Sequence, residues 1–258
     1  MNFFRRRAKY ISEIPSRLAF SPWYIVRKIM YPYVNLRINV RGDLGEKYYV
    51  SEEDIDDKTL RGVLDKYYDL YFPKKTDSSK VKKIWDIGAH HGYYTVRCLY
   101  EYPSCEVISI EPNNKSVERI ISVVESNSAN GRVKIINAAL SEKEGKLSLQ
   151  LSDRGSWGDS LYLSGDESVS EEEVDTTTTE KLLEYGNPDI IKCNAEGAEY
   201  ILVRELSQRE IYPEIFVLMV HPEFGDPESL LQNKYFNNYE MDDRFSTEKR
   251  LRYLFIKK

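Results

Sequence analysis

After residue 80 the sequence alternates short apolar runs with longer segments of helical period, and this alternation restricts the possible folds more than any other feature. The runs are KIWDI (83–87), EVISIE (106–111), VKIINA (133–138), DIIKCN (189–194) and IFVLMV (215–220). Helices are predicted between them over 92–102, 114–128, 176–185 and 195–208. Strands alternating with helices in this way give an α/β fold with a parallel sheet covered on both faces. Two strands around a polar turn are expected in YEMDDRFSTEKRLRYLFIKK, as an antiparallel hairpin at the sheet.

Between the third and fourth runs lies a short strand, KLSLQL, and then a long polar insertion, SDRGSWGDSLYLSGDESVSEEEVD, read as a loop. Loops of that length inside a compact domain are usually functional or disordered. Before residue 76 the pattern differs. Residues 1–34 read as short helices broken at Pro22 and Pro32, LRINVRGDLGEKYYV as a β-hairpin, and KTLRGVLDKYYDLYF as a helix with Leu60, Leu64, Tyr67, Tyr68 and Tyr71 on one face. PKKTDSSK (73–80) is the linker, so the chain divides into an extension over 1–75 and an α/β domain over 76–258.

At 258 residues with 41% apolar content, one large α/β domain with an accessory segment can bury a full core. Cys98, Cys105 and Cys193 form no metal or redox spacing, and an odd thiol count argues against a disulfide framework, which fits a cytoplasmic setting. No uncharged apolar run approaches the roughly 18 residues of a membrane span, and Glu13, Pro15 and Arg17 interrupt any signal-peptide core. Nine Lys/Arg against one acidic residue give residues 1–41 a charge of +8, leaving −13 on the rest. The acidic body argues against extended nucleic-acid binding. The basic, aromatic head suits a peripheral membrane or protein contact, or packing on the body with its cations solvated.

WDIGAHHGYYT (85–95) places Asp86, Gly88 and Gly92 at a strand-to-helix turn, where glycine lets the backbone approach a ligand closely. An acid two residues before the first glycine is hostile to a pyrophosphate and suits a ligand carrying an ammonium. Glu111 ends the next strand, near the spacing at which an acid takes the hydroxyls of a ribose. Adenosine with an amino-acid tail and no phosphate describes S-adenosylmethionine. The alternative is that Asp86 caps the turn, the glycines close it, and Glu111 is a solvated strand end.

The runs DIGAHHGYYT, ISIEPNNKSVERI, INAALSEKEGKLSL, DIIKCNAEGAEY and VHPEF, in that order, resemble the FkbM-type S-adenosylmethionine-dependent methyltransferases over about residues 81–224. The resemblance implies a Rossmann-like sheet of seven mostly parallel strands and methyl transfer to oxygen on a sugar, glycan or small metabolite. It implies that Asp86, Gly88, His90, Gly92 and Tyr94 surround the methionine tail, that Glu111 and Pro112 lie at the ribose, and that Ala138 and Ala139 lie beside the adenine. Ser156–Ser160 and the 194–196 junction would face the acceptor.

The chain departs from the family pattern in three places. His90 and His91 stand in GANIGYYT, Asn194 replaces an Asp in KIDVEGAE, and Met219 replaces a Glu before His221. Asn is no base at neutral pH, so Asn194 is left to orient a hydroxyl or to cap the following helix. The proton acceptor is then expected at His221 or Glu196, with local hydrogen bonding as the alternative for His221. His90 and His91, adjacent on a turn, are expected to point apart, and three histidines without HxH or HxxxH spacing indicate no dedicated metal site. Trp157 suits a lid, a platform for a sugar ring, or a loop anchor. The lost carboxylates keep a second function open, an impaired descendant that binds the cofactor or works by interaction through its head.

Overall fold

The computed structural model describes residues 38–50, 59–74, 76–152, 168–247 and 250–258. Most of the basic head, Trp157 and the Ser156–Ser160 segment lie outside them. Before the main sheet come the hairpin strands β1 (Ile38–Arg41) and β2 (Lys47–Val50) and the short helix α1 (Tyr68–Tyr71). The first two units of the α/β pattern are β3 (Lys83–Ile87), α2 (Tyr93–Glu101), β4 (Glu106–Ile110) and α3 (Asn114–Ser126). Next come β5 (Val133–Ile136), β6 (Ala139–Leu140), β7 (Gly145–Ser152), β8 (Ser168–Thr177) and α4 (Thr179–Leu183). The remaining elements are β9 (Ile190–Cys193), α5 (Ala198–Gln208), β10 (Ile215–Val220), α6 (Pro227–Leu231), β11 (Tyr239–Asp242) and β12 (Leu251–Lys257).

Seven strands form one sheet in the order β11-β12-β10-β9-β3-β4-β5. Every pair from β10 to β5 is parallel; β12 runs antiparallel to both β10 and β11. The sheet is therefore the seven-stranded, mostly parallel, Rossmann-like one expected. Ile84, Ile190 and Val217 enter one apolar cluster with Tyr93, Val96 and Leu99 of α2; Trp85, Ile191 and Phe216 enter another with Leu202 and Leu206 of α5. Successive residues of a strand point to opposite faces, so two covered faces require strands apolar at both parities. Order reverses between β3 and β9, and the crevice at their carboxyl ends is where ligands gather on such sheets.

The insertion departs from expectation. Its second half, SVSEEEVDTT, is strand β8, antiparallel to β7, with β6 on its other side. Three consecutive glutamates masked this. Glu171 accepts from the Ser148 hydroxyl at 2.8 Å and Glu173 pairs with Lys146 at 2.7 Å, both in the open, while Val174 and Leu149 pack inward. Because β8 runs to Thr177, α4 begins at Thr179, capped by the Thr178 hydroxyl accepting from Lys181 N at 3.1 Å, rather than at 176.

The hairpin forms as read, and Val40, Tyr48, Leu60 and Leu64 share the cluster that contains Ile84 and Tyr93. Arg97, on α2 and 1% exposed, binds Glu46, which is fully buried, as well as Asp43 at 2.5 Å and Glu101 at 2.6 Å. Asn127 accepts from Lys47 N and donates to Lys47 O, each at 2.7 Å. Among the described residues no helix is long and apolar enough to cross a membrane.

Candidate functional site

The glycine turn sits at the carboxyl end of β3. Gly88 N and Ala89 N both donate to Ile110 O at 3.0 Å, His90 N donates to Glu111 Oε2 at 2.8 Å, and Gly92 N donates to Ala89 O at 2.9 Å. A phosphate-cradling loop needs such amides aimed at its ligand. These four donate within the protein. Gly88 has φ +71°, and a Cβ there would stand 1.9 Å from the carbonyl oxygen of Asn194. Only glycine closes this turn against the 194–197 junction.

Asp86 lies beneath the turn, fully buried, not on its open face. Its Oδ1 accepts from Lys192 Nζ at 2.9 Å and its Oδ2 from the Thr95 hydroxyl at 2.6 Å. Lys192, its register partner on β9, also donates to Gly88 O at 2.5 Å and to Ile87 O at 3.4 Å. The ammonium expected opposite Asp86 is thus supplied by the chain itself. A buried lysine is tolerated only when paired, and an ammonium has three donors, matched here by three acceptors. Sequence reading passed over Lys192, although a lysine amid IIKC in a central strand demands such a partner.

Glu111, the residue after β4, is buried. Its Oε2 takes the His90 amide and its Oε1 the Asn113 amide at 3.0 Å, and Asn113 in turn caps α3 by accepting from Ser116 N at 3.0 Å. Pro112 follows it half-buried, and Ala138 and Ala139 are buried just beyond β5. His90 and His91 do not point apart. Their rings stack at 3.6 Å, with His90 in the left-handed region at φ 51°. Burial, with the charges of His91, Lys192 and Arg119, pushes His90 well below the usual imidazole range, so that ring is neutral. Tyr94 is turned from the turn into the core, where it stacks on Phe72 at 5.5 Å and meets Tyr71 at 5.2 Å.

The second half of the site lies at the ends of β9 and β10. Asn194 does not cap the next helix: α5 begins at Ala198 with Gly197, at φ 112°, before it. The backbone of Asn194 is used instead, its N–H donating to Ile87 O at 3.0 Å. Glu199, fully buried in the first turn of α5, supplies the fastening. Its Oε2 accepts from Gly197 N at 2.8 Å, and its Oε1 accepts from His221 N at 2.8 Å and faces His221 Nδ1 at 3.0 Å. On the other side of the same ring, Nε2 lies 3.1 Å from Glu196 Oε1.

His221 therefore stands between two carboxylates. Burial alone would lower its pKa, but the hydrogen bonds and charges of Glu196 and Glu199 outweigh it and raise the value to about 10. An imidazolium at neutral pH takes no further proton, which removes His221 from the role of base and leaves Glu196 as the candidate proton acceptor. Glu196 is partly exposed and has φ 43°, a left-handed conformation that non-glycine residues seldom hold unless their surroundings impose it. Glu199, the second acid of EGAE, is the functional residue the sequence concealed, because its partner lies beyond both α5 and β10.

A model of the methyltransferase FkbM domain matches residues 86–243. Among solved structures, the methyltransferase FkbM from Methylobacillus flagellatus KT is 16% identical with a TM-score of 0.51, covering 79% of this chain and 55% of that one. This chain thus spans little more than half of that protein's length. A putative methyltransferase, yhhF, from Escherichia coli is 11% identical with a TM-score of 0.48, covering 83% and 93%. A search of the curated proteins finds no match.

Proposed function

Because the chain belongs to the FkbM methyltransferase family, with S-adenosylmethionine as methyl donor, we propose that it methylates a hydroxyl oxygen on a sugar, a glycan or a small metabolite. The observation that supports this reading is the row Glu199–His221–Glu196 beside the glycine turn, since its partly exposed carboxylate suits taking the proton of an acceptor hydroxyl.

The residues present fit the cofactor. Gly88 and Gly92 would border its methionine tail, Glu111 would take ribose hydroxyls, and Ala138 and Ala139 would flank the adenine. Asp86 serves the turn from below through Lys192 and Gly88 O. When bound, the sulfonium supplies an electrophilic methyl group and leaves as a neutral thioether. Glu196 takes the acceptor's proton as its oxygen attacks, while His221 donates to Glu196 and keeps it oriented. Asn194, next to Glu196, is suited to orienting the hydroxyl by its amide.

The test is calorimetry with S-adenosylmethionine, followed by transfer of a labelled methyl group to a panel of hydroxylated sugars and metabolites. Binding with turnover on a hydroxyl supports the reading. Binding with no turnover on any acceptor favours a protein that works through cofactor binding or interaction, and no binding rejects both the donor and the reaction.

A further inference from the structure

We infer that Glu199 is a positioning residue for methyl transfer: by accepting a hydrogen bond from Nδ1–H of His221 it aims Nε2–H at Glu196, so the three side chains act as one proton-accepting unit. The inference rests on the function proposed above and concerns a residue that touches neither donor nor acceptor.

Three observations carry it. The first is saturation: Glu199 is fully buried, and its two oxygens meet Gly197 N, His221 N and His221 Nδ1, all within 3.0 Å. One carboxylate thereby ties the start of α5 to the end of β10 and fixes the ring between them, leaving the side chain one orientation. The second is direction. With Nδ1 held, the other nitrogen of the planar ring points the opposite way, and Glu196 Oε1 stands 3.1 Å from it. The third is the backbone of Glu196. A glutamate at φ 43° next to a glycine at φ 112° occupies a left-handed conformation that non-glycine residues seldom hold, and such a conformation is kept where a side chain must be delivered to one place.

The unit carries two negative carboxylates and one imidazolium, a net charge of −1. On methyl transfer the acceptor O–H bond breaks, its proton goes to Glu196, its oxygen bonds carbon, and the carbon–sulfur pair stays on sulfur. The unit then becomes neutral, and it regains its charge when Glu196 releases the proton to water. The titratable groups facing the His221 ring are Glu196 from the 194–197 junction and Glu199 from α5; Tyr200 donates its hydroxyl to the His221 carbonyl at 3.1 Å, and Phe224 packs 6.2 Å from the ring.

The experiment uses the whole protein and Glu199→Gln, which keeps the shape and removes the charge. Nuclear magnetic resonance follows the three histidines against pH, with His221 assigned through His221→Asn, and the rate of methyl transfer is measured over the same range. In the wild type His221 stays protonated through pH 8. In Glu199→Gln its titration and the alkaline limb of the rate both move down by about one pH unit or more, while the dissociation constant for S-adenosylmethionine changes less than about twofold. A variant slowed by the same factor at every pH has lost structure alone, which overturns the inference. If the variant fails to fold, the wild type decides, because a His221 titrating near the ordinary ~6.5 also overturns it. Binding without methylation of any acceptor would reject the proposed function, and the histidine titration would still decide whether Glu199 holds the ring.

Discussion

Replacing Asp86 by Asn removes the charge that pairs with Lys192 and keeps the side-chain shape. Lys192 is 5% exposed and Asp86 fully buried, so water cannot take over from the lost carboxylate. Breaking one side of such a pair costs about 3–5 kcal/mol, because the partner's charge is left uncompensated. With a urea m-value of about 2–3 kcal/mol/M, the unfolding midpoint falls by about 1–2.5 M. Trp85, next in sequence and fully buried, reports the transition by fluorescence. Lys192→Met alone strands Asp86 and is expected to cost a similar amount. Asp86→Asn with Lys192→Met leaves no unpaired charge, so the double variant should lose about 2–3 kcal/mol less than the sum of the singles. Additivity within about 0.5 kcal/mol would refute the pairing. In folded Asp86→Asn, affinity for S-adenosylmethionine is expected to fall about tenfold or more, a loss of about 1.4 kcal/mol, since Lys192 also holds the Gly88 carbonyl. An unchanged dissociation constant beside the lost stability would make the pair a core strut without bearing on the cofactor.

Gly88→Ala puts a Cβ 1.9 Å from Asn194 O in a left-handed residue; about 1–2 kcal/mol of backbone cost plus about 1–3 of forced displacement should lower the urea midpoint and abolish cofactor binding by calorimetry. His221 has a folded-state pKa of about 10, above its unfolded value, so its stabilisation is complete below about pH 6.5 and lost as pH rises through 10. The melting temperature of the wild type should therefore fall more steeply between pH 7 and 10 than that of His221→Asn. Arg97→Met strands the buried Glu46 at a cost of about 3–5 kcal/mol, and amide exchange over 40–48 should accelerate with it.

The parallel strands were legible because each is apolar at both parities, a pattern that the double covering imposes and that survives without knowledge of neighbours. β8 was not, since EEE contradicts strand propensity and only pairing with β7 offsets it. The rim of the sheet, with Asp86, Glu111 and the 194–196 junction near one another, followed from the chain order alone. What each carboxylate does there did not. The partner of Asp86 lies on the adjacent strand β9, which follows it only after β4 to β8 have intervened, and the acids around His221 precede it by the whole of β10 and most or all of α5. Distances in sequence carry no sign of such pairings, so neither the lysine beside Asp86 nor the two carboxylates beside His221 could be read from them. The capping role given to Asn194 failed locally for another reason: Gly197 and Glu199 start the helix further along.

The place of β12 bears on how the protein is made. It lies between β10 and β11 and hydrogen-bonds to both, yet it follows both in the chain. Until β12 is in place, β10 has an edge open toward it and β11 has no partner in the sheet. Phe216, Leu218 and the aromatic group of Phe236 and Tyr239 are then short of Phe255, which stacks on Phe236 at 4.2 Å in the finished fold. A chain lacking Leu251–Lys257 would leave the edge of β10 unpaired and β11 cut off from the sheet, the kind of exposed edge that promotes aggregation.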